Sequence, residues 1–233
     1  MKILAVDTTT SSCSVAIIEK ESLLAEVTLI RDQTHSKHLM GMIKKANELS
    51  GLLISDLDGF AITRGPGSFT GLRIGLSTIK GLAAASGKPM VGVSSLEVLA
   101  IQSYVSSFLI CPLIDARRGE VYYSNYRFKN GRLFQMIAEK AATPKEVLTG
   151  IHEPCIFVGN GATLYQETIR FKLGELAHFA PAAQNIIRAA TVAFLSLSRF
   201  QCGDIDDDRS LAPCYLRKSD AEINLAQKRQ NYG

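Results

Sequence analysis

Short apolar runs and polar breaks alternate through the first thirty residues. Residues 3–6 are apolar and end at Asp7. The hydroxyl run Thr8, Thr9, Thr10, Ser11 and Ser12 follows, and 13–18 is apolar again. β-Branched residues on both sides of a hydroxyl-rich turn predict a hairpin. Glu19-Lys20-Glu21 makes the next turn and 23–30 a third strand, so the chain opens with an antiparallel part of a mixed sheet. The period then changes. Leu39, Met42, Ile43, Ala46 and Leu49 recur at helical spacing behind Thr34-His35-Ser36-Lys37-His38, and Gly51 ends this helix, assigned to 35–50. A strand at 60–63, a long helix at 69–85 and a strand at 90–93 follow. A helix at 98–105 stands behind Ser94-Ser95-Leu96-Glu97, which matches a capping box. The first half therefore reads βββαβαβα.

The second half repeats strands followed by helices, with no matching repeat of sequence. Residues 108–114 and 121–128 read as strands joined by the charged turn Asp115-Ala116-Arg117-Arg118-Gly119-Glu120. Asn130-Gly131 signals a hairpin. Thr143-Pro144-Lys145-Glu146 is a second capping box with proline at the first helical position. A strand at 155–158 runs into Gly159-Asn160-Gly161, read as a strand-to-helix turn. Residues 182–200 read as one long helix. The four aspartates within 204–208 lack the glycine and glutamate of an EF-hand and read as a solvated loop. Pro213-Cys214-Tyr215-Leu216-Arg217 closes the fold. The predicted division is a first lobe at 1–105, a second at 106–216 and a mobile tail at 217–233.

Composition narrows the class without naming a chemistry. The 233 residues are 46% hydrophobic and 21% charged, ordinary globular values with ample material for a core. A net charge of +4 does not by itself indicate a nucleic-acid binder. Five scattered cysteines, none in a C-x-x-C pair, favour buried thiols and a reducing compartment. The N-terminus reaches Asp7 too early for a signal peptide, and no apolar run is long enough to span a bilayer. The expectation is a cytoplasmic protein with no membrane contact.

The densest candidate chemistry is the stretch 64–75, R-G-P-G-S-F-T-G-L-R-I-G. It lies between the 60–63 strand and the long helix. Gly65-Pro66-Gly67 can continue neither element, and Ser68 or Thr70 can cap the helix. Strand, glycine turn and helix N-terminus make an anion cradle. The stretch nevertheless matches neither G-x-x-x-x-G-K-[ST] nor G-x-G-x-x-G. On physical grounds the favoured reading is a tight turn whose small residues let the helix pack closely. Asp7, Thr8 and Thr9 could face this turn across a cleft, or form a polar hairpin turn. His35 and His38 lack a nearby third ligand and read as a solvated or partner-facing pair.

Asp7-Thr8-Thr9, the 64–75 stretch, Ile114-Asp115-Ala116-Arg117-Arg118-Gly119-Glu120-Val121-Tyr122 and Pro213-x-Tyr215-Leu216-Arg217 together resemble the TsaB (YeaZ) family, over nearly the whole chain and in order. The resemblance implies an α/β, two-lobed fold like the actin, hexokinase and Hsp70 ATPases, each lobe a mixed sheet with helices. It implies a non-catalytic scaffold required for the tRNA modification N6-threonylcarbamoyladenosine, without a cofactor. The implied partners are the transferase TsaD, joined through the 35–50 and 69–85 helices, and TsaE in a ternary complex. The resemblance also implies a homodimer through the same face when the chain is alone, and only indirect contact with tRNA. TsaD-type proteins carry two metal-binding histidines four apart; the positions here are Ser95 and Leu99, which implies no metal. Interface residues chosen on this basis are His38, Met42, Lys45, Arg73, Leu76 and Lys80. Asp7, Thr8, Thr9, Gly65 and Gly67 would mark a vestigial nucleotide cleft. The competing readings are an ATP-dependent phosphotransferase or a metallopeptidase of the same superfamily.

Overall fold

The structure is a computed structural model that describes residues 1–30, 35–103, 107–207 and 210–217. The first half follows the pattern of apolar positions. β1 (Lys2–Asp7), β2 (Ser12–Glu19) and β3 (Ser22–Ile30) form an antiparallel meander. α1 (Leu39–Ser50) ends at Gly51, whose left-handed φ of 71° stops the helix without Cβ strain. β4 (Gly59–Gly65), α2 (Phe69–Ser86), β5 (Met90–Ser94) and α3 (Ser95–Ile101) complete the half. β1, β4 and β5 pair in parallel, and the sheet order is β3-β2-β1-β4-β5.

The second half adds β6 (Leu109–Arg117), β7 (Glu120–Tyr123), β8 (Tyr126–Lys129), β9 (Arg132–Gln135) and β10 (Lys140–Ala142). α4 (Pro144–Thr149), β11 (Cys155–Val158), α5 (Asn160–Leu164), α6 (Gln166–Leu173), β12 (Ala177–Phe179) and α7 (Ala189–Gln201) follow. Its sheet runs β10-β7-β6-β11-β12, with β8 paired to β6 and β9. The order mirrors the first sheet. A central strand carries two antiparallel strands on one side and two parallel strands on the other.

Strand alternation divides the core into three layers. On the first sheet Leu4, Val6, Val15, Ile17, Phe60 and Ile62 face α1 and α2. Ile3, Ala5, Ala16, Ile18, Ala61 and Val91 face the other way, onto α7 and α3. The same middle layer receives Ile110, Ile114, Tyr122 and Val158 from the second sheet. Leu113, Val121 and Phe157 turn outward, onto α4 and α6. Two helices therefore lie between the sheets and are shared by both. Alanines at 5, 16 and 61 let α7 approach closely, and Phe200 of α7 lies directly against Gly59.

Several sequence expectations change. α7 follows the second lobe in sequence but packs on the first sheet, so the division at 105/106 does not separate the lobes cleanly. That division point lies outside the described residues, as does all of the 217–233 tail beyond Arg217. The single strand at 121–128 is broken into β7 and β8. Ser124 is fully buried there and its hydroxyl donates to Ile137 O at 2.6 Å, which turns the chain. The helix of 182–200 starts only at Ala189. Gln102 Nε2 donates to Gln184 O and Ile186 O, and Asn185 Oδ1 accepts from Gly159 N–H, so these groups are held in other bonds. The aspartate loop is partly anchored: Asp206 accepts from Gly92 N–H at 2.8 Å, and Arg199 pairs with Asp204 and Asp206. α1 begins at Leu39, behind a short 3-10 turn at His35–Lys37. Of the thiols, Cys13, Cys111 and Cys155 are buried, Cys214 is half-buried and Cys202 is exposed. Among the described residues, no helix is long and apolar enough to cross a membrane.

Candidate functional site

The site grows from the end of β1. Asp7 is fully buried, and its Oδ1 accepts from Thr9 Oγ1 and Thr63 Oγ1, each at 2.6 Å, and from Thr9 N–H at 3.2 Å. Among the described residues, its Oδ2 has no hydrogen-bond partner. Burial pushes the carboxyl up from 3.8 to about 6, while the bonds from Thr63 and Thr9 and the charge of His35 pull it down. Thr63 could not be picked out beforehand, because alternation within β4 does not say which side of the strand meets a carboxylate.

Opposite this turn stands the start of α2, capped by Ser68, whose Oγ accepts from Gly71 N–H. Gly67, Gly71 and Gly75 fall on one side of the chain's entry into the helix. A Cβ on Gly67 would run into Thr9 O, one on Gly71 into Thr8 O and one on Gly75 into Thr8 Oγ1. Ser68 N–H donates to Thr9 O at 2.7 Å, and Thr8 Oγ1 donates to Gly71 O at 2.8 Å. The glycines thus admit the backbone of Thr8 and Thr9, and Thr8 and Thr9 are only 1% exposed. The close packing favoured over an anion cradle on physical grounds is the arrangement found here. The Ser68 and Gly71 amides already have partners within the protein, and the space beside them is filled by the β1–β2 turn.

Gly65, at φ 114°, faces a segment whose placement the sequence did not predict. Cys214 N–H donates to Arg64 O at 2.7 Å, and a Cβ on Gly65 would meet Cys214 O at 2.8 Å. The Tyr215 ring stacks on Phe69 with centroids 3.9 Å apart, and Arg73 Nε donates to Tyr215 Oη at 3.1 Å. Arg217 then reaches Glu120 of the second lobe at 2.9 Å. Residues 211–217 form a strap across the glycine turn that touches both lobes.

α1 and α2 cover one face of the first sheet. His38 is half-buried at the start of α1, Lys45 is exposed and paired with Glu48 at 3.3 Å, Arg73 is exposed, and Lys80 is half-buried. Met42 and Leu76, expected on the outer face, point inward instead. They are 6% and 3% exposed in the core beneath the helices. A helix that is apolar on most sides does not show from sequence which side meets the sheet. Exposed apolar side chains on α1 and the loop after it are Met40, Leu49 and Leu53. A groove of about 500 Å³ runs between Met40, Ile43, Lys44 and Asn47 of α1, Leu52–Ile54 of the loop, and Leu82 of α2. His35, named with His38 as a possible pair, is held by Thr10 O at 2.8 Å through Nε2. Among the described residues, no three His, Cys, Asp or Glu side chains gather as a metal-binding group.

Two lobes of matching strand order, with the carboxylate that ends the first strand facing a strand–turn–helix, define a protein of the two-lobed actin/hexokinase/Hsp70-like class. The fold resembles that of ethanolamine utilization protein EutJ from Carboxydothermus hydrogenoformans (TM-score 0.55, 13% identity, 83% of this chain and 89% of that one). A family model described as TsaD, tRNA N6-adenosine threonylcarbamoyltransferase, matches residues 22–225. The chain is 33% identical to the tRNA threonylcarbamoyladenosine biosynthesis protein TsaB of Bacillus subtilis, over 99% of this chain and 100% of that protein. It superposes on YeaZ from Pseudomonas aeruginosa with a TM-score of 0.79 at 26% identity, covering 92% of this chain and 99% of that one. The chain belongs to the TsaB (YeaZ) family.

Proposed function

We propose that this protein acts in tRNA N6-threonylcarbamoyladenosine formation as a non-catalytic scaffold that binds the transferase TsaD, with TsaE joining the pair. The observation that carries the reading is the sealed cleft. The carboxylate that ends β1 and the hydroxyls beside it are inaccessible, and glycines of α2 enclose the turn that a ligand would have to displace. Ser95 and Leu99, which stand where the transferase has its metal-binding histidines, are themselves buried. Leu99 packs against Gly159 of the second lobe.

The binding face is the outer side of α1 and α2. Met42 and Leu76 support it from below, and contact falls to His38, Lys45, Arg73, Lys80 and the apolar rim of Met40, Leu49 and Leu53. Flexible Met40 in an apolar groove suits a partner helix. Without the transferase, the same face joins two copies of the chain. The working compartment is the cytoplasm, and tRNA is held chiefly by the partner.

Charge reversal tests this face. Arg73→Glu with Lys80→Glu is expected to weaken TsaD binding at least about tenfold in titration calorimetry, since a desolvated interface charge pair costs about 2–5 kcal/mol when one side is lost. Far-UV circular dichroism checks that the variant is folded. An unchanged affinity would remove α2 from the interface.

A further inference from the structure

The strap at 211–217 reaches α2, one of the two helices of the proposed partner-binding face. Its two ends are anchored in different layers of the core. Leu211 is fully buried in the layer beneath α1 and α2 and packs against Gly92 of β5. Leu216 packs against the middle layer, and Arg217 holds Glu120 at 2.9 Å. Between these anchors Cys214 N–H donates to Arg64 O at 2.7 Å, which brings Tyr215 onto the first turn of α2. Tyr215 lies flat on Phe69, with ring centroids 3.9 Å apart and planes 1° from parallel. Arg73 stands at the i+4 position from Phe69 and so shares its side of the helix. Its Cζ is 5.2 Å from the Phe69 centroid and 5.9 Å from the Tyr215 centroid, within cation–π reach of both rings. Its Nε donates to Tyr215 Oη at 3.1 Å.

We propose that Tyr215 is a positioning residue for partner binding: the strap holds the Arg73 guanidinium in the orientation that TsaD receives. This role rests on α2 belonging to the TsaD-binding face, and it extends the binding determinants to a residue 142 positions further along the chain. An exposed arginine samples many rotamers, and a partner that needs one of them must order it on binding. Here a hydroxyl and two rings order it beforehand. The hydrogen bond engages Nε, so the plane of the guanidinium is set by the phenol and not by α2 alone. The contact adds little to the core, since Tyr215 is 40% exposed and Arg73 is exposed as well. Nor does the strap need it to stay in place, because Leu211, Leu216 and Arg217 are anchored elsewhere.

A double-mutant cycle on the full chain, read by titration calorimetry with TsaD, tests the role. Tyr215→Phe keeps a ring on Phe69 and removes only the acceptor of the Arg73 bond. It is expected to weaken TsaD binding roughly three- to tenfold, the range for one long side chain ordered during binding instead of before it. In an Arg73→Ala background the same substitution is expected to change affinity by less than about twofold. Thermal unfolding checks that each variant is folded. A second measurement needs no partner. The Arg73 Nε–H of the free chain is expected to exchange slowly with solvent in heteronuclear NMR spectra, and Tyr215→Phe to speed that exchange severalfold. Wild-type affinity in Tyr215→Phe, or an equal loss with and without Arg73, would overturn the role. So would Arg73 Nε–H exchange that Tyr215→Phe leaves unchanged. If the exchange responds but Arg73→Ala binds TsaD as tightly as wild type, the clamp exists on a face that TsaD does not use. The assignment of α2 to the interface then fails, and the positioning role fails with it.

Discussion

Gly71→Ala is expected to be among the most damaging single-methyl additions this fold can receive, lowering unfolding free energy by roughly 3–5 kcal/mol. The added Cβ points into Thr8 O, a backbone atom at the end of β1 that has no room to retreat. α2 must lift away from the β1–β2 turn. The buried Thr8 Oγ1–Gly71 O and Ser68 N–Thr9 O bonds then stretch or break. Overpacking alone costs about 1–3 kcal/mol, and each buried bond left without a partner adds about 1–3. Against a total stability of order 5–15 kcal/mol the loss is severe. Gly81→Ala, in the same helix, is the control. Nothing among the described residues lies within 4 Å of a Cβ there, so alanine is expected to stabilise by about 0.5–1 kcal/mol through helix propensity. Urea unfolding of the pair reads both signs. Equal, small effects at the two positions would mean that the glycine turn is not packed on Thr8.

Asp7→Asn is expected to gain stability relative to wild type as pH rises. In the folded protein the Asp7 carboxyl is raised from 3.8 to about 6 by burial. A raised acid stabilises the fold below its unfolded value and gives that stabilisation up as pH climbs to the folded value. At about 1.36 kcal/mol per pKa unit, about 2.4 of the roughly 3 kcal/mol carried by the full shift is lost between about pH 4 and about pH 7. Asparagine keeps an acceptor for Thr9 and Thr63 and carries no charge. The melting temperature of Asp7→Asn relative to wild type should therefore climb by roughly 5–10 °C over that interval. Glu97 and Glu139, whose carboxyls burial also pushes up, shift wild type and variant alike, so the difference isolates Asp7. A difference that stays constant with pH would show that the carboxylate is compensated by a charge near Oδ2.

What could be read from the sequence was what local chemistry decides. The alternation in β1 and β2, the caps at Ser68 and Thr143, and the left-handed stop at Gly51 depend on a few adjacent residues, and each appears where the pattern put it. The close packing at 64–75 was also readable, because a row of glycines leaves room for a neighbouring backbone. The placement of α7 was not. Ala5, Ala16 and Ala61 leave space for a helix without specifying which one fills it. Met42 and Leu76 were misplaced for a related reason: helical spacing gives a face but not its direction when apolar residues go most of the way round. The capping box expected at Ser94 and Glu97 forms by half: Ser94 Oγ accepts Leu96 N–H and Glu97 N–H, but its own proton goes to Glu139. Ser-x-x-Glu predicts a cap whether or not a second carboxylate waits across the cleft. Thr63 and Glu139 reach Asp7 and Ser94, respectively, only through contacts distant in sequence, at separations of 56 and 45 residues.

The central claim is that this chain is needed for the modification without performing the chemistry. The most direct measurement is a reconstitution of TsaC, TsaD and TsaE with tRNA, ATP, threonine and bicarbonate, with and without this protein, reading N6-threonylcarbamoyladenosine by mass spectrometry of digested tRNA. Modified adenosine is expected only when the protein is added, with none formed by the protein in the absence of TsaD. Undiminished modification without it, or modification by the protein when TsaD is omitted, would contradict the account.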